Sequence, residues 1–136
     1  MQNAIPMSEL RKRPGDFFNR VIREHPAVVT RHSDAIIALS ISQFQELVKH
    51  LKLTVNVDYE DGVYAVDIPE LDLVAWGAEL EEVKVNLAEQ AINYAEEYFE
   101  RFPLFFHAPN RKAHFPYVIR LSLCEDMDQV MELFDA

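Results

Sequence analysis

One cysteine, three glycines and no long apolar run are the scarcities of this 136-residue chain. The lone thiol, Cys124, cannot form an internal disulfide and suits a reducing compartment. With three glycines and seven prolines, the chain is neither fibrous nor disordered by composition. No segment approaches the roughly 18 apolar residues of a membrane span, and the N-terminus lacks the charged start and apolar stretch of a signal peptide. A cytoplasmic protein without a membrane partner is expected. Whole chemistries lack their residues too, since there is no glycine-rich phosphate loop, nucleophile elbow or His-Glu-x-x-His. His107, His114, Cys124 and Asp126 are metal-binding types, but their spacings of seven, ten and two match no zinc pattern. Neither a metal nor any other cofactor is expected.

Positive charge is also scarce, and it is unevenly placed. The chain has 13 Lys or Arg against 23 Asp or Glu, a formal net charge of −10. Residues 1–52 nevertheless hold eight of those bases and five acids, a balance of +3, which leaves −13 for residues 53–136. A swing of that size between segments points to two jobs. What is plentiful is apolar: 49% of residues are hydrophobic, enough for one ordinary domain or two small ones.

In the first segment, Asn3 to Met7 reads as a short strand. Ser8 reads as the N-cap of a short helix, with Glu9 in its first turn. Pro14 ends that helix and opens another, in which Phe17, Phe18, Val21 and Ile22 share a face. Ala27–Arg31 and Ala35–Ile41 read as strands of a hairpin through His32-Ser33-Asp34. A capping box, Ser40 with Gln43 or Ser42 with Gln45, starts a helix carrying Phe44, Leu47, Val48 and Leu51. This β-α-α-β-β-α unit buries too little surface to be comfortable alone, and dimerisation through its hairpin and apolar helix faces is the physical remedy.

The second segment alternates strictly through Thr54–Tyr59, turns at Glu60-Asp61-Gly62 and alternates again through Tyr64–Ile68. Leu73–Trp76 supplies a third strand, and Trp76 is expected in the core. Glu79 to Arg101 is a long helix, with an apolar stripe from Leu80 to Phe102; Phe99 is also expected in the core. Pro103 to Pro116 reads as an irregular aromatic connection, Tyr117–Leu123 as a fourth strand, and Asp126 as the cap of a last helix. The fold class is therefore α+β, as a β-α-α-β-β-α unit followed by β-β-β-α-β-α.

The run Ser8-Glu9-Leu10-Arg11, then Val29-Thr30-Arg31, Ala38-Leu39-Ser40 and Gln43-Phe44-Gln45-Glu46-Leu47, resembles the N-terminal domain of Phd/YefM antitoxins over about 50 residues. The hairpin turn departs from that pattern, since Ser33-Asp34 stands where the family usually has a glycine. Gly62, Tyr64, Val66, Pro69, Leu71, Gly77, Glu81-Glu82 and Asn86, in that order, are similar to the HicB-type antitoxin domain. HicB proteins usually carry their DNA-binding part after this domain, whereas here it would come first. Phd/YefM members usually neutralise their toxin with a tail that folds on binding, and this chain has a foldable module instead. The resemblances imply a DNA-binding and dimerisation domain at 1–52 and an acidic partner-binding domain at 53–136. They imply an antitoxin of a type II toxin–antitoxin system, a dimer or higher oligomer that represses its own operator and neutralises a cognate toxin, such as a small basic ribonuclease. The alternative is a transcription regulator whose second domain senses a ligand or oligomerises.

The residues for these roles can be named. Arg11, Lys12 and Arg13 lie together at a helix, and Arg31 ends a strand; guanidinium groups make bidentate contacts to phosphate and guanine. Arg11 and Arg31 are the positions that the family resemblance assigns to DNA. Arg20 and Arg23 read as plain helix surface. On the long helix Glu82, Glu89, Glu96, Glu97 and Glu100 could cover a basic toxin, though a solvated face would look the same. Asp58, Glu60, Asp61 and Asp67 raise the question of a carboxylate pair for hydrolysis. Strand and turn acids facing solvent explain them more simply, and no enzyme is expected.

Overall fold

Pro6 has an extended backbone (φ −75°, ψ 151°) and lacks an N–H, so a strand can end on it and a helix begin at once. The computed structural model, which describes residues 4–135, places strand β1 at Ala4–Pro6 and helix α1 at Met7–Lys12. Ser8 thus lies inside the first turn rather than at the cap, and no side chain caps this helix. The expected strand start at Asn3 falls outside the described residues. Helix α2, Pro14–Arg23, opens on its proline. Strand β2, Ala27–Arg31, runs parallel to β1 and antiparallel to β3, Asp34–Ala38, giving the order β1-β2-β3.

Arg31 pairs with Asp34, so the hairpin turn is only His32-Ser33. His32 takes φ 56° there, a left-handed conformation that costs a residue with a Cβ roughly 1–2 kcal/mol. Strand β3 stops short of the expected Ile41, because Ser40 and Gln43 cap the next helix reciprocally. The Gln43 amide donates to Ser40 Oγ at 3.0 Å, and the Ser40 amide donates to Gln43 Oε1 at 2.9 Å. Ile41 therefore begins helix α3, Ile41–Val48. Gln43 Nε2 also donates to the Val21 carbonyl at 3.1 Å, tying this cap to α2.

Contacts divide the chain into two compact units, up to Leu47 and from Val48. The first has a thin interior: Val21, Ala27, Val29 and Ser40 are its buried residues among those described. Of the expected α2 face, Phe18 and Ile22 remain exposed, as do Ile36, Ile37, Ile41 and Leu47 beyond it.

The second unit starts with β4, Leu53–Thr54, followed by an antiparallel sheet of β5 (Asn56–Glu60), β6 (Val63–Ile68) and β7 (Leu73–Gly77). Asp61 and Gly62 join β5 to β6 with φ of 53° and 79°, the left-handed pair that a tight two-residue hairpin requires. Helix α4, Leu80–Glu100, has 21 residues and so runs about 32 Å. It lays Val83, Leu87, Ala88, Ala91, Ala95 and Tyr98 into one core with Val66, Ile68 and Ala75 of the sheet. Close approach at the start of α4 depends on Gly77, where an added Cβ would stand 2.8 Å from Val83 Cγ2.

Beyond α4 the sequence expectations need correction. The expected irregular connection contains helix α5, Phe102–His107, and a 3-10 turn, Lys112–His114. The expected fourth strand, Tyr117–Leu123, is helix α6, Phe115–Ser122. Val118 and Leu121, three apart, are its buried pair, which is helical spacing. Pro103 and Pro116 lie in the first turns of their helices, where proline's missing donor costs nothing. Helix α7, Met127–Glu132, is capped as expected, with the Gln129 amide donating to Asp126 Oδ1 at 2.9 Å. A last strand, β8 (Phe134–Asp135), pairs in parallel with β4 and joins the end of this unit to its beginning. The Arg120 guanidinium secures the same region by donating to the carbonyls of Lys49 and Leu51. The fold is α+β, with α4 on one face of its main sheet. Among the described residues no helix is long and apolar enough to cross a membrane.

Gly77 gives a direct test of the helix–sheet contact. Gly77→Ala is expected to destabilise the protein by about 1–3 kcal/mol, since the core must move to admit a methyl group. Gly15→Ala, where a Cβ meets nothing within 4 Å, should be neutral or stabilising by up to about 1 kcal/mol. Urea midpoints of the two variants measure this, and equal midpoints would remove the close-approach argument.

Candidate nucleic-acid and partner interfaces

Strand β1 runs parallel to β2 with Pro6 opposite Thr30. The start of α1 and the end of β2 therefore share one end of the first sheet. Arg31 emerges at the end of β2; Arg11 and Lys12 occupy the last turn of α1, and Arg13 is its C-cap. All four side chains are exposed. Lys12 and Arg13 also line a hollow of about 520 Å³ with Leu10, Asp16, Phe17 and Arg20. Arg23, by contrast, is held by Asn19 Oδ1, to which its Nη1 donates at 3.0 Å.

The five candidate glutamates on α4, Glu82, Glu89, Glu96, Glu97 and Glu100, are exposed, but they do not form one cluster. Glu82 and Glu89 line a hollow of about 380 Å³ with Glu81, Val85 and Asn86. Glu96 borders a different hollow of similar size, with Ile92, Phe99, Cys124 and Met127. Glu97 lies 3.7 Å from Arg101 Nη1. Phe99 is exposed rather than core, because Ala95 and Tyr98 occupy the buried arc of α4 at that level.

Trp76 needs the larger correction, being 66% exposed. Alternation along β7 turns Ala75 under α4 and sends Val74 and Trp76 to the opposite face. Register puts Asp58, Ala65 and Trp76 in one row across the sheet, beside Glu60 with Val63, and Asn56 with Asp67 and Val74. The acids weighed as a hydrolytic pair thus gather on a face with an exposed indole. The sequence expectation put Trp76 in the core, although period-2 alternation sends neighbouring residues Ala75 and Trp76 to opposite faces of β7.

His114, set aside in the sequence because its spacing fits no metal pattern, has a structural setting that the sequence did not announce. It is buried, with Nδ1 at 2.6 Å from the Tyr94 hydroxyl and Nε2 at 3.4 Å from Asp72 Oδ2. A neutral ring with its proton on Nε2 fits both partners. Burial lowers its pKa, opposed by the Asp72 carboxylate and reinforced by Arg111. Burial likewise raises the pKa of Tyr94, of Tyr98 and of Cys124. Tyr98 donates to the Arg111 carbonyl at 2.8 Å, and the Arg111 guanidinium lies 4.1 Å from the Phe105 ring centre. These contacts fasten the aromatic segment onto α4. Among the described residues no three His, Cys, Asp or Glu side chains gather as a metal site would require.

The chain is similar to known proteins over its whole length. The model of a family named PHD_like, described as an antitoxin of toxin–antitoxin, RelE/RelB systems, matches residues 1–136. A crystal structure from Syntrophomonas wolfei subsp. wolfei, described as an antitoxin part of a proposed toxin/antitoxin system, is 34% identical in sequence. It superposes with a TM-score of 0.93, covering 100% of this chain and 98% of that one. No curated protein matches.

The His114 site predicts a pH dependence. Its folded pKa lies below the unfolded value near 6.5, so the unfolded chain takes up the proton first. Stability is therefore unaffected above that pH and falls as the pH drops through about 6.5 toward the folded pKa. His114→Gln removes this component. The stability difference between wild type and variant, from urea unfolding at pH 8 and pH 5, should shrink at the lower pH; a constant difference would count against a neutral buried imidazole.

Proposed function

The chain belongs to the PHD_like family of toxin–antitoxin antitoxins, and from that premise we propose that it is a type II antitoxin that represses its own operator as a dimer. Residues 1–52 act as the DNA-binding and dimerisation domain, of Phd/YefM type. Residues 53–136 act as the HicB-like domain that neutralises a cognate toxin. The chain acts by binding rather than by catalysis.

The carrying observation is the exposed set Arg11, Lys12, Arg13 and Arg31, whose backbone positions lie on α1 and at the end of β2. Arginine forks suit phosphates and guanine edges, and they stand out against a chain of net charge −10. The β-α-α-β-β-α order of the first unit supports the Phd/YefM reading. Dimerisation is supported by the thin interior and by Ile36 and Ile37, on opposite faces of edge strand β3 and 61% and 63% exposed. A second copy would cover what one copy leaves bare. The neutralising role of the second unit is supported by its acidity, with Glu82, Glu89, Glu96, Glu97 and Glu100 outward on α4, complementary to a small basic ribonuclease-type toxin.

Gel shifts on DNA from upstream of the gene test the first half. Arg11→Ala and Arg31→Ala are each expected to weaken binding by roughly 1–3 kcal/mol without lowering the melting temperature, and to reduce the salt slope by about 1 for each phosphate no longer held. Wild-type affinity in both variants would remove DNA binding from these residues. Ile37→Glu should yield a monomer by light scattering, where the unchanged chain gives at least a dimer.

A further inference from the structure

We propose that the open face of the β5–β6–β7 sheet, centred on Trp76, docks an arginine-bearing segment of a basic protein partner. This deepens the partner-binding role proposed for the second unit and rests on it. The face opposite α4 has an apolar middle of Val63, Ala65, Val74 and Trp76, with Val63 and Val74 exposed as well as the indole. Its rim is Asp58, Glu60, Asp61 and Asp67. Residues 56–77 hold six Asp or Glu and no Lys, Arg or His, so this hairpin pair supplies no cation of its own to the indole or the carboxylates.

Geometry fits a guanidinium. Asp58, Ala65 and Trp76 lie abreast on three neighbouring strands, which spaces the carboxylate-bearing and indole-bearing strands by about 10 Å. Ala65 between them is only a methyl floor, and Asp58, Glu60, Asp61, Val63, Ala65 and Trp76 line an open hollow of about 250 Å³. A planar guanidinium lying on the indole can direct its N–H groups toward Asp58 or Glu60, combining cation–π stacking with charge-assisted hydrogen bonds. Asp67 is already oriented, accepting from Asn56 Nδ2 at 3.3 Å. Charge decides between occupants. A second copy would set four carboxylates against four in a two-fold contact, and a nucleic acid or an anionic lipid surface would meet the same repulsion. A cationic protein segment is the occupant that the rim attracts.

Trp76 is the sole tryptophan, so its fluorescence reports this face alone. Titrating the full chain with nona-arginine at low salt should change that emission saturably, with a weaker response to nona-lysine, whose ammonium groups do not stack as a plane. The triple variant Asp58→Asn, Glu60→Gln, Asp67→Asn keeps the indole and should bind at least about tenfold more weakly, with unchanged circular dichroism. Trp76→Ser should weaken the calorimetric affinity similarly, whereas Glu82→Gln with Glu89→Gln should leave the tryptophan response intact. No emission change, an equal response to nona-lysine, or a response lost with the α4 pair and kept by the triple variant would overturn the proposal. The antitoxin reading is scored separately, by rescue of growth when the chain is co-expressed with the product of the adjacent reading frame. A silent face in a chain that rescues growth overturns the docking proposal alone. Binding at the face in a chain that gives no rescue supports the face and removes the antitoxin reading.

Discussion

The second unit depends on how closely α4 can lie on its sheet. That distance is set at Gly77, where the space a Cβ would need is filled by Val83. Further along, three alanines, Ala88, Ala91 and Ala95, keep the helix surface low enough for Val66, Ile68 and Ala75 to reach it. Tyr98 then extends the same stripe beyond these alanines, fully buried, and its ring meets Phe102, Phe105 and Phe115. A residue with one polar atom can be buried there because its hydroxyl finds the Arg111 carbonyl. The short helices α5 and α6 have little propensity of their own, and this aromatic contact supplies what their length cannot.

Much of this was legible in the sequence and some was not, for identifiable reasons. The β5–β6 hairpin was legible because alternation was strict and an Asp-Gly turn separated its strands, but the expected strand Thr54–Tyr59 is divided, with Thr54 in β4 and β5 starting at Asn56. A capping box was legible because its two hydrogen bonds require side chains three residues apart, but that spacing fits Ser42 with Gln45 as well as Ser40 with Gln43, the pair that forms it. Tyr117–Leu123 was not, because seven mostly apolar residues satisfy period 2 and period 3.6 about equally. Pro116 was the better guide, since a proline one residue into an apolar run suits the first turn of a helix. The pairing of β4 with β8 links residues some eighty positions apart, Leu53 with Phe134, and no local pattern announces such a contact.

At the interfaces, residue type was more legible than arrangement. Basic residues at α1 and β2 could be picked out by charge, but that α1 begins where β2 ends follows from the parallel register of β1 and β2. The acids of α4 could be picked out too, yet helical geometry distributes Glu82, Glu89 and Glu96 along more than 20 Å of axis, beside two different hollows. Composition alone made them look like one surface.

Covering one face of a three-stranded sheet with one helix leaves the other face to be accounted for. Antiparallel sheets often leave that face to water, and the ordinary residues there are polar. Here the rim conforms, with Asp58, Glu60 and Asp67, while the middle does not, with Val63, Val74 and Trp76 exposed. Neither burial nor strand propensity explains a largely exposed indole, because Trp76 packs against no core and β7 is an edge strand. Solubility would be better served by almost any smaller polar residue at that position. The contrast between conforming rim and nonconforming centre is what the docking proposal rests on, with apolar contact to give affinity and surrounding charge to select the sign of the partner. The two units then differ in sign for the same physical reason: each presents, around its exposed apolar or planar groups, the charge opposite to what it is proposed to hold.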